Sequence, residues 1–151
     1  MKLSHTVAVL SLFAAPAFAD GHETGDAEKG KKAFNKCKSC HMIQDAEGNT
    51  ILKGGKTGPN LYGVIGRQIG SADFKYGKSL VEVGETGAVW EFDNFMAYIA
   101  DPKGWLKEAL DDTSAKSKMS FRLKKGGEDI YAYLVSVGPE LEASDEETSS
   151  D

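Results

Sequence analysis

The sequence predicts a small all-α domain of three main helices, with short helical turns and long loops between them. Three stretches carry apolar residues at helical spacing, at 25–40, 89–102 and 126–139. No part of the chain shows a sustained alternation of apolar and polar residues, the pattern of a half-buried strand. Residues 45–76 are rich in glycine and have no long periodic run, so we expect them to form loop.

The first helix is predicted to begin after Asp26, whose side chain can cap the free amide groups of the first turn. Ala27, Gly30, Phe34 and Cys37 then fall on one face. A glycine inside a helix costs about 1 kcal/mol relative to alanine. We therefore expect another helix to approach closely at Gly30.

The two later helices are predicted from similar apolar stripes. The second helix ends at Pro102 and carries Phe92, Phe95, Met96 and Ile99 on one face. A short helical turn is expected to follow at 102–110. The last helix has acidic residues in its first turn, ends at Gly138-Pro139, and carries Ile130, Tyr133, Leu134 and Val137 on one face. We expect that aromatic face to lie over Gly30.

Both ends of the chain are predicted to lie outside the folded domain. Residues 1–19 combine Lys2, an apolar run and "AFA" before Asp20, as in a cleaved secretory signal peptide. The run is shorter than the roughly 20 residues that span a bilayer. Residues 139–151 carry six acids and no bases, so we expect a disordered acidic tail. In the remaining domain, 20–138, 17 basic and 17 acidic residues balance.

The only two cysteines, Cys37 and Cys40, are followed directly by His41 in "KCKSCH". A disulfide between them would close a loop too short to restrict the unfolded chain much. A thiol–disulfide oxidoreductase places such a pair where a strand enters a helix, and no strand precedes Cys37. A structural zinc site needs four ligands. Beyond the signal, it would therefore require both thiols and both remaining histidines, His22 and His41.

The interpretation that uses all three residues is covalent haem attachment, because C-x-x-C-H is the sequence that binds c-type haem. Each thiol adds across one haem vinyl group, and His41 becomes an axial ligand of the iron. The haem would also supply the covalent cross-link that a small exported domain often needs for stability. We predict one haem c per chain, attached through Cys37 and Cys40.

The second axial ligand decides between electron transfer and chemistry at the iron. His22 lies near the mature terminus, Met42 adjoins His41 and cannot reach the opposite haem face, and Met96 belongs to a helical stripe. Met119, in the polar segment "AKSKMSFRL", is the remaining candidate. Iron bound on both sides suits an electron carrier. The alternative is a haem peroxidase or gas-binding protein with an open iron position, and a colourless thiol–disulfide oxidoreductase is a weaker one.

Several further segments, in order, resemble a known family. They are "KCKSCH", "KTGPNLYGVIGR", "FKY", Trp90, "AYIADPKGWL", "KMSF" and "IYAYL". Over residues 25–137 the chain resembles class I c-type cytochromes, especially the bacterial cytochrome c2 type, and is similar to mitochondrial cytochrome c. The resemblance implies a small cytochrome c fold wrapped around one covalently bound haem. The loops at 45–56 and 106–117 are longer than in the mitochondrial proteins.

The resemblance also implies roles for individual residues. The Pro59 carbonyl should accept a hydrogen bond from His41, which fixes the orientation of the ring. Tyr98 should lie near the sulfur of Met119, and Phe121 should cover the haem edge. A haem propionate should be bound or enclosed by Arg67, Tyr76 and Trp90. The crossing of the first and last helices should be formed by Gly30, Phe34 and Tyr133.

The function implied is that of a monomeric periplasmic one-electron carrier, not an enzyme. The donor would be a cytochrome bc1 complex, and the acceptor a terminal oxidase, a photosynthetic reaction centre or a periplasmic reductase. Basic residues precede the haem motif and flank Met119, so a lysine-rich haem edge would steer docking onto acidic partners. An ordinary solvated lysine face is the alternative. The acidic pI of about 5.2 and the export signal argue against nucleic-acid binding.

Overall fold

The computed structural model describes residues 25–140. The predicted signal peptide, His22 and residues 141–151 of the predicted acidic tail lie outside this range. Five α-helices account for most of the regular structure: α1 Ala27–Ala33, α2 Lys78–Glu85, α3 Phe92–Ala100, α4 Pro102–Ala109 and α5 Gly127–Val137. No helix within 25–140 is long and apolar enough to cross a bilayer.

The crossing of α1 and α5 matches the prediction. Gly30 is buried, and a Cβ atom added there would lie 2.7 Å from the Cβ of Tyr133, so only glycine allows this approach. The rings of Phe34 and Tyr133 meet edge to face with centroids 5.8 Å apart. Asp26 caps α1 by accepting from the Lys29 amide at 3.0 Å. The Asp26 amide in turn donates to the Asp129 carboxylate of α5 at 2.9 Å.

The first helix is shorter than its apolar spacing predicted. After Ala33 the chain tightens into a 3₁₀ turn, Phe34–Lys36. Hydrogen bonds then run from the Cys40 and His41 amides back to the Cys37 carbonyl, at 3.1 and 3.0 Å. The haem motif is thus a series of tight turns at the carboxyl end of the helix.

Two elements were not predicted. Helix α2 lies in a region to which no helix was assigned, and it buries Leu80 and Val83 beside Ser79 and Gly84. A small antiparallel hairpin pairs β1 Ile43–Gln44 with β2 Thr50–Leu52. Its strands are too short to show alternation in sequence.

The remaining helices close one side of the core. The short turn expected after Pro102 is a full helix, α4, capped by the Asp101 side chain on the Gly104 amide at 3.1 Å. Helix α3 packs against α4 and α5, and α2 packs against α4. The long glycine-rich segment 53–77 has no helix or strand and passes across the turns of the haem motif.

Candidate haem-binding site

The structure brings all ten predicted site residues to one cavity of about 380 Å³. They come from the turns after α1, the loop at 57–67, the segments around α2 and α3, and the segment that precedes α5. The ten are Cys37, Cys40, His41, Pro59, Arg67, Tyr76, Trp90, Tyr98, Met119 and Phe121. Residues that are distant in sequence therefore share one site.

His41 is held by the loop that follows the hairpin. Its Nδ1 lies 2.8 Å from the carbonyl oxygen of Pro59. A carbonyl only accepts, so Nδ1 carries the proton and Nε2 is the nitrogen available to a metal. Burial lowers the pKa of His41, and the hydrogen bond to Pro59 opposes this in part. Burial therefore favours the neutral ring, which is the form that binds iron.

Gly58 and Asn60, on either side of Pro59, were given no role by the sequence prediction. A Cβ atom on Gly58 would lie 2.7 Å from His41 Nδ1, so glycine is needed for the loop to approach the ring. Asn60 joins this loop to the hairpin by accepting from the Gln44 amide at 3.0 Å and donating to the Gln44 carbonyl at 2.7 Å. Both lie in "TGPN", where the glycine is the signal of a close backbone approach.

The two cysteines, as free thiols, differ in their surroundings. Cys37 is partly buried, and burial raises its pKa to about 11. Cys40 is exposed, and hydrogen bonds from the hydroxyls of Thr57 and Ser39 lower its pKa. Cys40 is thus the more easily ionised thiol. Both line the cavity, as attachment of one group through two thioethers requires.

A cationic group lies at another part of the cavity. The Arg67 guanidinium donates to the carbonyls of Tyr62 and Asn60 at 3.0 and 3.3 Å and is half-buried. Burial lowers its pKa, and the neighbouring Tyr76 hydroxyl raises it. Among residues 25–140, Arg67 takes part in none of the three ion pairs. A half-buried guanidinium without a carboxylate suits the propionate of a haem.

Met119 reaches the cavity from the segment that precedes α5. Its amide donates to the Ser117 hydroxyl at 3.1 Å. Burial raises the pKa of Tyr98, and a hydrogen bond with the Ser117 side chain opposes this shift. The Tyr98 hydroxyl therefore faces the segment that carries Met119. Phe121 lines the cavity and is 41% exposed, which places it at the opening.

The cavity wall is mainly apolar, and most of it was not predicted. These wall residues include Leu61, Val64, Leu80, Leu106, Leu123, Ile130 and Leu134. The size, the apolar wall and the two thiols fit a haem that completes the core.

A sequence model of the cytochrome c family matches residues 27–138. This chain belongs to the cytochrome c family. Cytochrome c-551 of Roseobacter denitrificans is 56% identical over 138 residues, covering 89% of this chain and 96% of that protein. Cytochrome c2 of Rhodobacter capsulatus is 52% identical over 140 residues, covering 91% and 98%. The crystal structure of ferric cytochrome c-550 from Paracoccus versutus matches with a TM-score of 0.74 at 52% identity, covering 76% of this chain and 99% of that one.

These comparisons confirm the class I, cytochrome c2-type resemblance and the all-α cytochrome c fold. They also confirm the predicted cofactor: cytochromes c bind haem c covalently through two cysteines, which here are Cys37 and Cys40. The protein is an electron-transfer cytochrome and not an enzyme, and it exchanges electrons with redox partners.

The basic residues of this cytochrome are not equally placed around the cavity. Lys36, Lys116 and Lys118 line it. Two other bases from the predicted clusters are partly neutralised: Lys29 pairs with Asp26 at 3.2 Å, and Arg122 with Asp101 at 2.9 Å. We call Lys36, Lys116 and Lys118 the rim lysines.

Proposed function

We propose that this cytochrome is a periplasmic one-electron carrier whose haem iron is bound by His41 and Met119. Three methionines fall within residues 25–140, and Met119 alone among them lines the cavity with His41. Met96 packs elsewhere, since a Cβ atom added to Gly127 of α5 would lie 2.8 Å from its sulfur. The placement of Met119 is the observation that carries the proposal.

The haem supplies one-electron chemistry, because its iron is stable in the ferrous and ferric states. The protein holds the ligands that tune it. The hydrogen bond to the Pro59 carbonyl orients His41 and makes it a stronger donor. A thioether ligand favours the ferrous iron and raises the reduction potential. With His41 and Met119 both bound to the iron, the site would have no place for a substrate and would need little rearrangement between its oxidation states.

The polar side of the cavity is proposed to hold the haem propionates. Arg67 supplies positive charge, Tyr76 can donate a hydrogen bond, and Trp90 encloses the group from the core side, where it is 7% exposed. Phe121 covers the exposed haem edge, and Tyr98 lies beside the Met119 segment. Replacement of Arg67 by leucine should lower the potential, because a nearby cation disfavours ferric iron. An unchanged potential would remove Arg67 from this role.

The matched variants Met119→Leu and Met96→Leu test the ligand assignment, because both keep the side-chain volume and remove a sulfur. Met119→Leu should lose the weak absorption band of ferric iron bound to methionine, near the red end of the spectrum. Its potential should fall by on the order of 100 mV, a fraction of the roughly 0.8 V that axial ligands control. Met96→Leu should change neither. A wild-type spectrum of high-spin iron would favour a peroxidase or gas-binding site instead.

The proposed donor is a cytochrome bc1 complex, and the proposed acceptor is a terminal oxidase, a photosynthetic reaction centre or a periplasmic reductase. The rim lysines support docking through the haem edge onto acidic surfaces. Export rests on the predicted signal at 1–19. Mass spectrometry of protein purified from the periplasm should find a chain that begins at Asp20 and carries one haem. A chain that still begins at Met1 would contradict the export proposal.

A further inference from the structure

Two contacts join the Met119 segment, residues 115–123, to the region around α2. The main-chain amide of Lys116 donates to the Ser79 hydroxyl at 3.1 Å. The Lys118 ammonium donates to the Lys75 carbonyl at 2.7 Å, at an exposed position. Water competes for an exposed hydrogen bond, so the second contact is expected to hold the segment less firmly. The contact made by Ser79 is the stronger candidate for a fixed anchor.

Ser79 is unusual in its burial. It is 8% exposed, and apart from tyrosine and tryptophan no other polar or charged residue within 25–140 is buried. Its neighbour in the first turn of α2, Leu80, lines the haem cavity, whereas Ser79 does not. A buried hydroxyl is costly unless it is hydrogen-bonded. The Ser79 hydroxyl is hydrogen-bonded by the Lys116 amide.

The Met119 segment is fixed at both ends. On the carboxyl side, the Leu123 amide donates to the Ile99 carbonyl of α3 at 2.8 Å. On the amino side, Ala115 is 2% exposed, and the next residue, Lys116, bonds to Ser79. Met119 lies between these two anchors. Release of either one would loosen the methionine, which the contact between the Ser117 and Tyr98 side chains would still hold in part.

We propose that Ser79 is a positioning residue for Met119: its hydroxyl holds the Lys116 main chain and so keeps the Met119 side chain at the haem. The inference rests on the proposed function, in which Met119 binds the iron. Ser79 touches neither haem nor iron in this scheme. It sets how often the Met119 segment opens and admits another ligand to the iron.

Imidazole binding to the ferric holoprotein is the test, because imidazole must displace Met119. Ser79→Ala should bind imidazole about fivefold more tightly than wild type, the change expected when one net hydrogen bond is lost from the closed state. Ser79→Thr keeps the hydroxyl and should restore wild-type affinity. Ser136→Ala removes an exposed serine hydroxyl that bonds the Tyr133 carbonyl at 2.8 Å, and it should leave affinity unchanged.

A second measurement needs no variant. In the wild-type holoprotein the Lys116 amide should be protected from hydrogen exchange, and added imidazole should reduce that protection. An unprotected Lys116 amide, or Ser79→Ala with wild-type imidazole affinity, would overturn the positioning role.

The two proposals fail differently. If Met119 is not the ligand, wild-type ferric protein lacks the methionine band and Met119→Leu changes nothing. If only the Ser79 proposal is wrong, the band is present and lost in Met119→Leu, while Ser79→Ala binds imidazole as wild type does.

Discussion

At the scale of single residues, the site depends on side chains that hydrogen-bond to the main chain next to a proposed iron ligand. Asn60 shows this most directly. Its carboxamide accepts from the amides of Gln44 and Tyr62 at 3.0 and 3.1 Å and donates to the Gln44 carbonyl at 2.7 Å. The adjoining residue is Pro59, whose carbonyl bonds to His41. Asn60 therefore fixes the position of the oxygen that orients the iron ligand.

Asn60→Ala should destabilise the holoprotein by about 2 kcal/mol, because three hydrogen bonds are lost and partly buried backbone groups remain unpaired. It should also lower the reduction potential or broaden its titration, since the bond to His41 loses its fixed geometry. Asn49→Ala is the matched control, because Asn49 lies in the exposed hairpin turn and bonds Asp45 there at 2.9 Å. Denaturant titration and a spectral redox titration measure both effects. Equal stability of the two variants would contradict this account of Asn60.

The sequence could predict residues that carry recognisable chemistry, but not those that work through a distant backbone. Cys37, Cys40 and His41 form a local motif, and the structure brings them to one cavity with residues proposed from the resemblance. Ser79 and Asn60 bond the main chain of segments far away in sequence. An isolated serine or asparagine has no spacing that reveals such a partner. Only the folded chain identifies it.

At the scale of elements, the helices that bury continuous apolar stripes were predictable. Helix α5 carries its stripe against α1, and α3 carries its stripe toward the core. Helix α2 has eight residues, places Val81 in solvent and includes Gly84, where a Cβ atom would clash with the Ile69 carbonyl. Its apolar stripe is short, with Leu80 and Val83 buried, and its stability depends on packing against other segments. That is why the sequence pattern did not reveal it.

The contact between α1 and α5 gives a prediction at this scale. Gly30→Ala places a methyl group against the Asp129 carbonyl and 2.7 Å from the Cβ of Tyr133. Overpacking of this kind costs about 1–3 kcal/mol. The better helix propensity of alanine offsets up to about 1 kcal/mol of that cost. We expect a net loss of about 1–2 kcal/mol in the free energy of unfolding. Lys31→Ala, at an exposed position of the same helix, should stay within about 0.5 kcal/mol.

At the scale of the whole molecule, the formal net charge is -5, and the charges are uneven in position. The predicted domain, 20–138, carries 17 basic and 17 acidic residues, and the acidic tail adds six acids, yet three lysines line the haem cavity. A protein of negative net charge can therefore still present a positive surface to a partner. The field of such a surface extends about 10 Å at 0.1 M salt. Association through it should respond to ionic strength as expected for a positive surface, although the net charge of the chain is negative.

Small charged reagents can test this field without the physiological partners. Oxidation of the ferrous protein by the hexacyanoferrate(III) anion should slow as salt increases, whereas oxidation by a cationic cobalt complex should become faster. Lys36→Gln should slow the anionic reaction about twofold to fivefold at low salt, because it removes one rim charge near the exchanging edge. Lys103→Gln changes the net charge equally, but Lys103 lies on α4 and does not line the cavity. If both variants slow the reaction to the same extent, total charge governs encounter and the rim lysines have no special part in docking.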